Sequence, residues 1–310
     1  MTRIVYILVG ASVPTGGHKM ILRHVEALKR MGFDALAHVP RGEAEPAWFD
    51  HAAPLQNGGE LLETDILVVP DDAFGVLKRL AFSKHRKIIF LQNHFRAASG
   101  GVGRLAPAEL RCYREFIACS ATCAAWAARY LPESTFDVIP AFADERRFGP
   151  LEKQPVIVCT PRKRQLEARA VIFMFSRLHR SSMRWKWSPI ESASEEEVAH
   201  AFGRAHVFLS LSRLEGLGVT TLEAMRSGCV VAGFAGLGGR EYATTANGLW
   251  VDDDDCEACA EALVRAVKLV EAGGPALETM RKAAMQTAAN WSYANFLSAL
   301  ETYWRRVVPP

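Results

Sequence analysis

Two glutamates in one short segment have the types and spacing of a ligand site. Glu215 and Glu223 are separated by seven residues, and Gly216 and Gly218 lie between them. Glycine lets the backbone come close to a ligand, and the N–H groups at the start of a following helix favour an anion such as a diphosphate. The two carboxylates can accept hydrogen bonds from neutral hydroxyls. This arrangement suits a ligand made of sugar, diphosphate and ribose.

Both glutamates also have a purely structural interpretation. Thr220 as a helix N-cap, with Glu223 three residues later, matches a capping box in which the two side chains satisfy helix donors reciprocally. Glu215 would then be a solvated loop carboxylate. This interpretation does not explain why glycines lie beside it.

The elements that position these residues are predicted from apolar runs. Continuous runs of Val, Ile and Leu indicate strands buried on both faces. A helical pattern at 17–31, closed by Gly32 as a left-handed cap, lies between the first two runs, and the order strand, helix, strand means parallel pairing. The predicted strands cover residues 4–9, 35–39, 66–69, 87–91, 116–119, 136–139, 156–159, 183–187, 207–211, 230–233 and 248–251.

An irregular stretch after residue 139 separates two series of strands and predicts a domain boundary at about residue 150. The predicted fold class is α/β, with two doubly wound Rossmann-like domains at 1–150 and 151–290. In open parallel sheets ligands bind beyond the carboxyl ends of the strands, so two such domains facing each other are expected to form one central cleft.

The segment from Glu215 to Gly228 resembles the signature of the retaining GT-B glycosyltransferases of the group 1 type, which use nucleotide sugars. In that family two glutamates separated by seven residues stand in an EGxGxxxxEAMxxG frame. This chain matches both the spacing and the surroundings, with Thr220 where the family often has Pro.

Two further segments resemble the same family. Residues 9–18, which contain Gly16 and Gly17, resemble its N-terminal strand and glycine loop. The dinucleotide fingerprint GxGxxG is absent there, which argues against a nicotinamide-dependent dehydrogenase. Residues 138–150 resemble the family's interdomain segment, with Ala141 where Asn is common.

The resemblance implies roles for the matching residues. Glu215 would contact hydroxyls of the donor sugar, Glu223 would hold the ribose, and the region of Gly218 would lie against the diphosphate. The implied donor-binding residues are Gly16, Gly17, Arg162, Lys163, Glu215, Gly216, Leu217, Gly218, Val219, Glu223, Gly238 and Gly239. For Gly238 and Gly239, which resemble a glycine turn beside the donor sugar, the alternative is a mere tight turn.

The implied catalytic residues are Glu215, His94, Arg162 and Lys163. His94 follows a predicted strand, where relatives place a histidine against the donor sugar or the acceptor; a histidine packed structurally in a loop is the alternative. Arg162 and Lys163 are candidates for neutralising the leaving diphosphate, with Arg164 left open as a third and an exposed helix start as the structural alternative.

With cations in this role, no obligatory metal and no cofactor are expected, and the nucleoside diphosphate sugar is a co-substrate. The acidic run from Asp252 to Asp255 is interpreted as the cap of the following helix. The stretch 96–104 is expected to be a mobile loop over the acceptor side, with a plain connector as the alternative. Residues 291–310 contain an amphipathic pattern, and in similar proteins such a helix crosses back onto the N-domain.

The implied activity is transfer of a sugar from a nucleoside diphosphate sugar to an acceptor with retention of configuration. A glycan, a lipid-linked molecule or a small molecule would each fit as acceptor. Two alternatives share the same ligand: a nucleotide-sugar epimerase, and a nucleotide-sugar-binding protein without turnover.

Composition excludes several other classes. Hydrophobic residues make up 49% and charged residues 23%, which argues against disorder and coiled coil. A net charge of +3 is too mild for a nucleic-acid binder. No segment reaches the ~18 apolar residues of a transmembrane helix, which leaves room only for peripheral membrane contact. Seven cysteines, an odd number without an export signal, predict reduced thiols and a cytoplasmic location.

Overall fold

The computed structural model describes residues 2–12, 14–179 and 184–308 of the chain. These residues form two compact units. The first unit runs up to Ala141 and resumes at Ala294, and the second spans Phe142–Tyr293. The sequence interpretation placed the divisions at about residues 150 and 290.

The first unit is built on a parallel sheet of seven strands in the order β3-β2-β1-β4-β5-β6-β7. Its central strands are apolar and completely covered, as continuous Val/Ile/Leu runs predict. The strands are β1 (Ile4–Ile7), β2 (Ala35–Val39), β3 (Leu55–Asn57), β4 (Ile66–Pro70), β5 (Arg86–Leu91), β6 (Glu115–Ala118) and β7 (Thr135–Val138).

Helices connect these strands. The first of them starts where the Thr15 side chain accepts a hydrogen bond from the His18 N–H, and ends just before Gly32, whose φ of +88° is the predicted left-handed cap. The helices are α1 (Gly16–Arg30), α2 (Phe74–Leu80), α3 (His94–Gly100), α4 (Pro107–Leu110) and α5 (Ala121–Tyr130), with a 3₁₀ turn at Val102–Arg104.

The stretch 96–104 is helical, so the predicted mobile loop is wrong. Asn93 caps α3 by accepting from the N–H groups of the next turn. Gly101 then packs directly on the chain after β4: a Cβ atom at this position would lie 1.7 Å from the carbonyl oxygen of Asp71. The glycines of this stretch therefore permit close packing of two backbones.

The second unit contains a parallel sheet of five strands in the order β12-β11-β10-β8-β9. The strands are β8 (Gln154–Cys159), β9 (Lys186–Pro189), β10 (Ala205–Leu211), β11 (Val230–Phe234) and β12 (Leu249–Val251). The predicted strand at 183–187 begins on Met183, which lies outside the described residues; the observed strand is β9.

The helices of the second unit are α6 (Gln165–Leu178), α7 (Glu195–Arg204), α8 (Val219–Arg226), α9 (Gly236–Gly239), α10 (Cys256–Ala272) and α11 (Gly274–Ala289). Val171 and Phe175 of α6 and Leu263 and Val267 of α10 are completely buried in one apolar cluster with the sheet. Because β8, β10 and β11 are parallel, the loops after them emerge at the same edge of the sheet.

The helix α12 (Tyr293–Val307) belongs to the first unit from Ala294 onward. Phe296 and Trp304 are fully buried there, with the Phe296 ring 4.9 Å from that of His24 and the Trp304 ring 6.4 Å from that of Tyr6. Among the described helices, none has the length and apolar character needed to cross a bilayer.

Candidate active site

The loop after β10 carries the first candidate glutamate and is shaped by a left-handed glycine. Gly218 has a φ of +84° and is the N-cap of α8, so the helix begins at Val219. The Tyr242 hydroxyl donates to the Gly218 carbonyl at 2.9 Å. Thr220 therefore lies inside the helix, and the capping-box alternative for Glu223 is wrong because a residue with no side chain already occupies the cap position.

The turn after β11 packs against this loop. A Cβ atom at Gly238 would lie 2.7 Å from both the Glu215 carbonyl oxygen and the Leu217 nitrogen. Contacts this short with backbone atoms leave no room for any side chain. At Gly239 a Cβ atom would meet its nearest neighbours at 3.5 Å, an ordinary contact. The structure thus brings two of the predicted glycine motifs together, and Gly238 is the position where glycine is required.

Hydroxyl groups join the strand ends to the start of α8. The Ser210 hydroxyl donates to the Phe234 carbonyl at 2.7 Å and lies 3.3 Å from the Thr221 hydroxyl, while Ser212 lies 3.4 Å from the same hydroxyl on its other side. Ser210 and Thr221 are buried. Satisfied buried polar groups of this kind fix the geometry of a loop.

Glu215 forms an ion pair with one of the predicted basic residues. The Lys163 Nζ atom lies 2.8 Å from Glu215 Oε1, and both side chains are partly exposed. Such a solvated pair contributes only about 0–1 kcal/mol, so its partners can exchange at low cost. Arg162 and Lys163 are exposed in a 3₁₀ turn at Pro161–Lys163, directly after β8.

Arg164, the third candidate, has a different environment. Its side chain is buried, with Nη2 3.2 Å from an Asp253 oxygen, an ion pair to Asp254, and a hydrogen bond of 3.1 Å from Nε to the Ser212 carbonyl. Its guanidinium also lies 4.6 Å from the centre of the Phe234 ring. These contacts make Arg164 a structural residue that ties three loops together.

The acidic run after β12 has the structural role predicted for it. Asp255 is the N-cap of α10, and its side chain accepts from the Ala258 N–H at 2.9 Å. Asp253 and Asp254 bind Arg164.

Glu223 lies in the fifth position of α8 and is 5% exposed. Its backbone carbonyl accepts from the Ser227 N–H and hydroxyl, at 3.0 and 2.9 Å. The two predicted glutamates therefore differ: Glu215 is partly solvated in a loop, and Glu223 is covered by protein.

The first unit places its candidates near one another at the carboxyl ends of its strands. Gly16 and Gly17 begin α1, and the Gln92 side-chain amide donates to the Gly17 carbonyl at 2.9 Å. His94 begins α3 two residues further along and is 5% exposed, with its Nδ1 atom 3.5 Å from the Cys123 sulfur.

Several ionisable residues around His94 were missed by sequence reasoning. Asp71 is buried after β4 and accepts from the N–H groups of Gln92 and Asn93, yet burial raises the pKa of its carboxyl well above the ordinary value. Cys119 lies 3.9 Å from Cys123, and a hydrogen bond from Cys119 lowers the pKa of the Cys123 thiol. Asp71 and Cys119 each follow a strand directly, and this position in the sequence could have identified them as candidate site residues.

Comparison with known proteins places this geometry in a family. Residues 190–287, which include the Glu215 loop, α8 and the Gly238 turn, match the family model described as glycosyl transferases group 1. The chain is also 27% identical over 271 residues to an α-1,6-glucosyltransferase of Actinobacillus pleuropneumoniae serotype 7 (strain AP76), covering 82% of this chain and 80% of that protein. Both findings support a group 1 glycosyltransferase.

Solved structures agree on the fold of this glycosyltransferase. Sucrose-phosphate synthase (tll1590) from Thermosynechococcus elongatus matches with a TM-score of 0.70 at 14% identity, covering 99% of each chain. Anabaena Alr3699/HepE, solved in complex with UDP-glucose, matches with a TM-score of 0.71 at 13% identity, over 98% of this chain and 99% of that one. The predicted two-domain GT-B fold is confirmed.

The chemistry available to the glycosyltransferase comes from charge and hydrogen bonding. Within residues 2–12, 14–179 and 184–308, no group of three or more His, Cys, Asp or Glu residues is arranged to hold a metal ion. Lys163 contacts the carboxylate of Glu215 in the loop before α8, and Arg162 precedes Lys163 in the same turn, so a positive and a negative group are both presented at this edge of the sheet.

Proposed function

We propose that this enzyme transfers a glucosyl residue from UDP-glucose to an acceptor hydroxyl, with retention of the anomeric configuration. The observation that carries the proposal is the Lys163–Glu215 ion pair at the start of α8. A diphosphate needs cations and N–H donors, whereas a sugar needs acceptors for its hydroxyls. This pair supplies both kinds of group at adjacent positions.

Donor binding would break the ion pair between Lys163 and Glu215. Lys163 and Arg162 would bind the diphosphate, and Glu215, released from Lys163, would accept hydrogen bonds from the sugar. Because the ion pair is partly solvated, breaking it costs little compared with new charge-assisted bonds to a diphosphate. The start of α8 and the loop of Gly216, Leu217, Gly218 and Val219 would lie against the phosphates.

Glu223 would hold the ribose, and its burial supports this role. A carboxylate covered by protein keeps a fixed position, which suits recognition of two neighbouring hydroxyls. Gly238 and Gly239 would allow the turn after β11 to approach the sugar. In the first unit, Gly16 and Gly17 would approach the diphosphate, and His94 would contact the reacting sugar or the acceptor.

Catalysis would come from positioning donor and acceptor and from stabilising the departing diphosphate by Arg162, Lys163 and the α8 N–H groups. No metal is required in this scheme, since the cations neutralise the leaving group. The α linkage in the name of the Actinobacillus relative, together with the α linkage of glucose in UDP-glucose, favours retention and a glycan acceptor. We place the reaction in the cytoplasm, with reduced thiols.

The test is a transfer assay with UDP-glucose and a panel of glucose-terminated acceptors, run with and without EDTA. We expect an α-linked product by the anomeric proton coupling in NMR, and equal rates in both buffers. A β-linked product would overturn retention, and loss of activity in EDTA would overturn the metal-free scheme. Formation of a different sugar nucleotide from UDP-glucose alone would indicate an epimerase instead.

A further inference from the structure

A cavity lies in the first unit, along the edge of its sheet. It has a volume of about 450 Å³ and is lined by residues of β2, of α2 and of the chain after β3, among them His38, Arg41, Gly58, Leu61 and Arg79. Pockets of about 300–1,000 Å³ accommodate small molecules. In the strand order β3-β2-β1-β4 the topological switch point lies between β1 and β4, so this cavity stands apart from the position where such sheets commonly bind ligands.

Two cations of this cavity have no partner in the described part of the chain. Arg41 and Arg79 are both exposed, and neither takes part in an ion pair or hydrogen bond with the described residues. Most other arginines of this unit bind carboxylates, as Arg3 binds Asp65 at 2.7 Å. The cavity therefore presents two guanidinium groups whose donors are available to a ligand.

An imidazole completes the donor set. His38 is 9% exposed, and its Nδ1 atom is buried without a hydrogen-bond partner among the described residues. Because Nδ1 is covered by protein, a ligand in the cavity can contact the ring only through its other nitrogen, Nε2. Burial, with Arg3 and Arg79 adding to it, lowers the pKa of His38 and keeps the ring neutral, so that one ring nitrogen carries a hydrogen.

Carboxylates do not cancel this positive field. Among the described residues, the cavity lining contains no Asp or Glu. Asp65, the acid that acts on His38, is held by two hydrogen bonds from Arg3 at 2.9 and 2.7 Å and by the Leu62 N–H at 2.8 Å. Its charge is already compensated, so the net field in the cavity favours an anion.

We propose that this cavity binds the phosphoryl group of a small phosphorylated molecule. Two guanidinium forks and an imidazole N–H offer more donors than the two oxygens of a carboxylate can use, whereas a phosphoryl group has three terminal oxygens. The volume exceeds that of phosphate and leaves room for an organic part against Leu61 and Pro40. This site is independent of the donor site proposed above.

Calorimetric titration with inorganic phosphate, glucose 6-phosphate and glucose tests the proposal. The titrations are run at constant ionic strength and in saturating UDP, which keeps the two phosphorylated probes out of the donor site. We expect saturable binding of the phosphorylated probes with Kd below about 10 mM and none of glucose. If glucose 6-phosphate binds more tightly than phosphate, the site takes a phosphorylated organic molecule; equal affinities assign it to free phosphate.

Variants locate the binding. Arg41→Gln and Arg79→Gln should each raise Kd by about tenfold or more, since each removes a charge-assisted contact. Because both side chains are exposed and unpaired among the described residues, melting temperatures should not change. Arg111→Gln, which removes an exposed arginine of the same unit, is the matched control and should leave Kd within about twofold.

Absence of saturable binding by either phosphorylated probe would overturn the proposal. Equal weakening by all three substitutions would overturn it as well, because the effect would then be one of overall charge. If the unmodified protein binds phosphate but not UDP, only the donor proposal is contradicted. Failure of the phosphate-site proposal and failure of the proposed function are therefore distinguishable.

Discussion

The Lys163–Glu215 pair of the second unit and the ionisable residues around His94 in the first unit differ in burial. In the second unit the Lys163–Glu215 pair is partly exposed and joined by a single contact of 2.8 Å. In the first unit Asp71, His94, Cys119 and Cys123 are all buried. Exposed pairs exchange partners easily, whereas buried groups are fixed and their pKa values shift. The Lys163–Glu215 pair is thus suited to rearrange around a ligand, whereas the buried residues of the first unit keep fixed positions.

The largest expected effect tests how closely the second unit's loops are packed. Gly238→Ala would place a Cβ atom 2.7 Å from the backbone of Glu215 and Leu217, so the loop must move. Displacement of reacting groups by about 1 Å costs about 100-fold, and we expect that loss in kcat/KM. Gly239→Ala, whose Cβ atom would have 3.5 Å contacts, should lose at most about threefold. Equal losses in the two variants would show that packing against the loop is unimportant.

The next prediction concerns partner exchange by Lys163. Lys163→Gln removes the charge proposed to bind the diphosphate, and the Kd for UDP-glucose measured by calorimetry should rise about 10- to 100-fold. Lys163→Arg should restore most of the affinity. Arg169→Gln, an exposed cation of α6, is the control for overall charge. If Lys163→Gln binds the donor normally, the ion pair with Glu215 has only a surface role.

A smaller effect is expected from the buried carboxyl of the first unit. The folded-state pKa of Asp71 lies above its unfolded-state pKa, so between these two pH values the folded state binds more protons than the unfolded state. The free energy of unfolding therefore falls as the pH rises through this range. Asp71→Asn keeps an oxygen to accept from Gln92 and Asn93 and removes the buried charge. Its melting temperature should exceed that of the unmodified protein by a few degrees at about pH 7.

That advantage should shrink as the pH falls through the ordinary aspartate pKa of 3.8, because Asp71 then becomes protonated in the unfolded state as well. Asp34→Asn provides the matched control, since the Asp34 side chain is exposed and pairs with Lys29 on the surface. A pH-independent difference between Asp71→Asn and the unmodified protein would contradict the assignment to charge burial.

The smallest effect sharpens the description of the left-handed cap. Tyr242→Phe removes the hydrogen bond to the Gly218 carbonyl and should lower the free energy of unfolding by about 1 kcal/mol, measured by urea denaturation. Tyr130→Phe, at an exposed tyrosine, should change it by less than about 0.5 kcal/mol. No difference between the two variants would mean that Gly218 keeps its conformation without Tyr242.

The sequence predicted the sheets because buried parallel strands are continuous apolar runs. β2 is observed with the predicted bounds, and most other strands shift by only a few residues. The edge strand β3 was missed because it has only three residues and includes Gln56 and Asn57, so no apolar run marks it. An edge strand needs no apolar face on both sides, so a strand this short and polar gives apolar patterning nothing to detect.

The site was predicted less completely than the fold, because contacts between distant loops leave no local pattern. The sequence predicts a close approach to a ligand at Gly218, but its role as N-cap and its hydrogen bond with Tyr242, which is 24 residues away, leave no local pattern. The sequence favours Arg162 and Lys163 as the phosphate-binding residues but leaves Arg164 open. Only the positions of Asp253 and Asp254 show that Arg164 is structural.

The assignment of α12 to the first unit has a consequence for biosynthesis. Phe296 and Trp304 fill the core around His24 and Tyr6, yet they are translated after the whole of Phe142–Tyr293. During synthesis, the first unit therefore exposes the apolar surface that α12 will cover until the second unit has been translated. The first half to be synthesised is therefore expected to be the last to mature, and the one that depends most on chaperones.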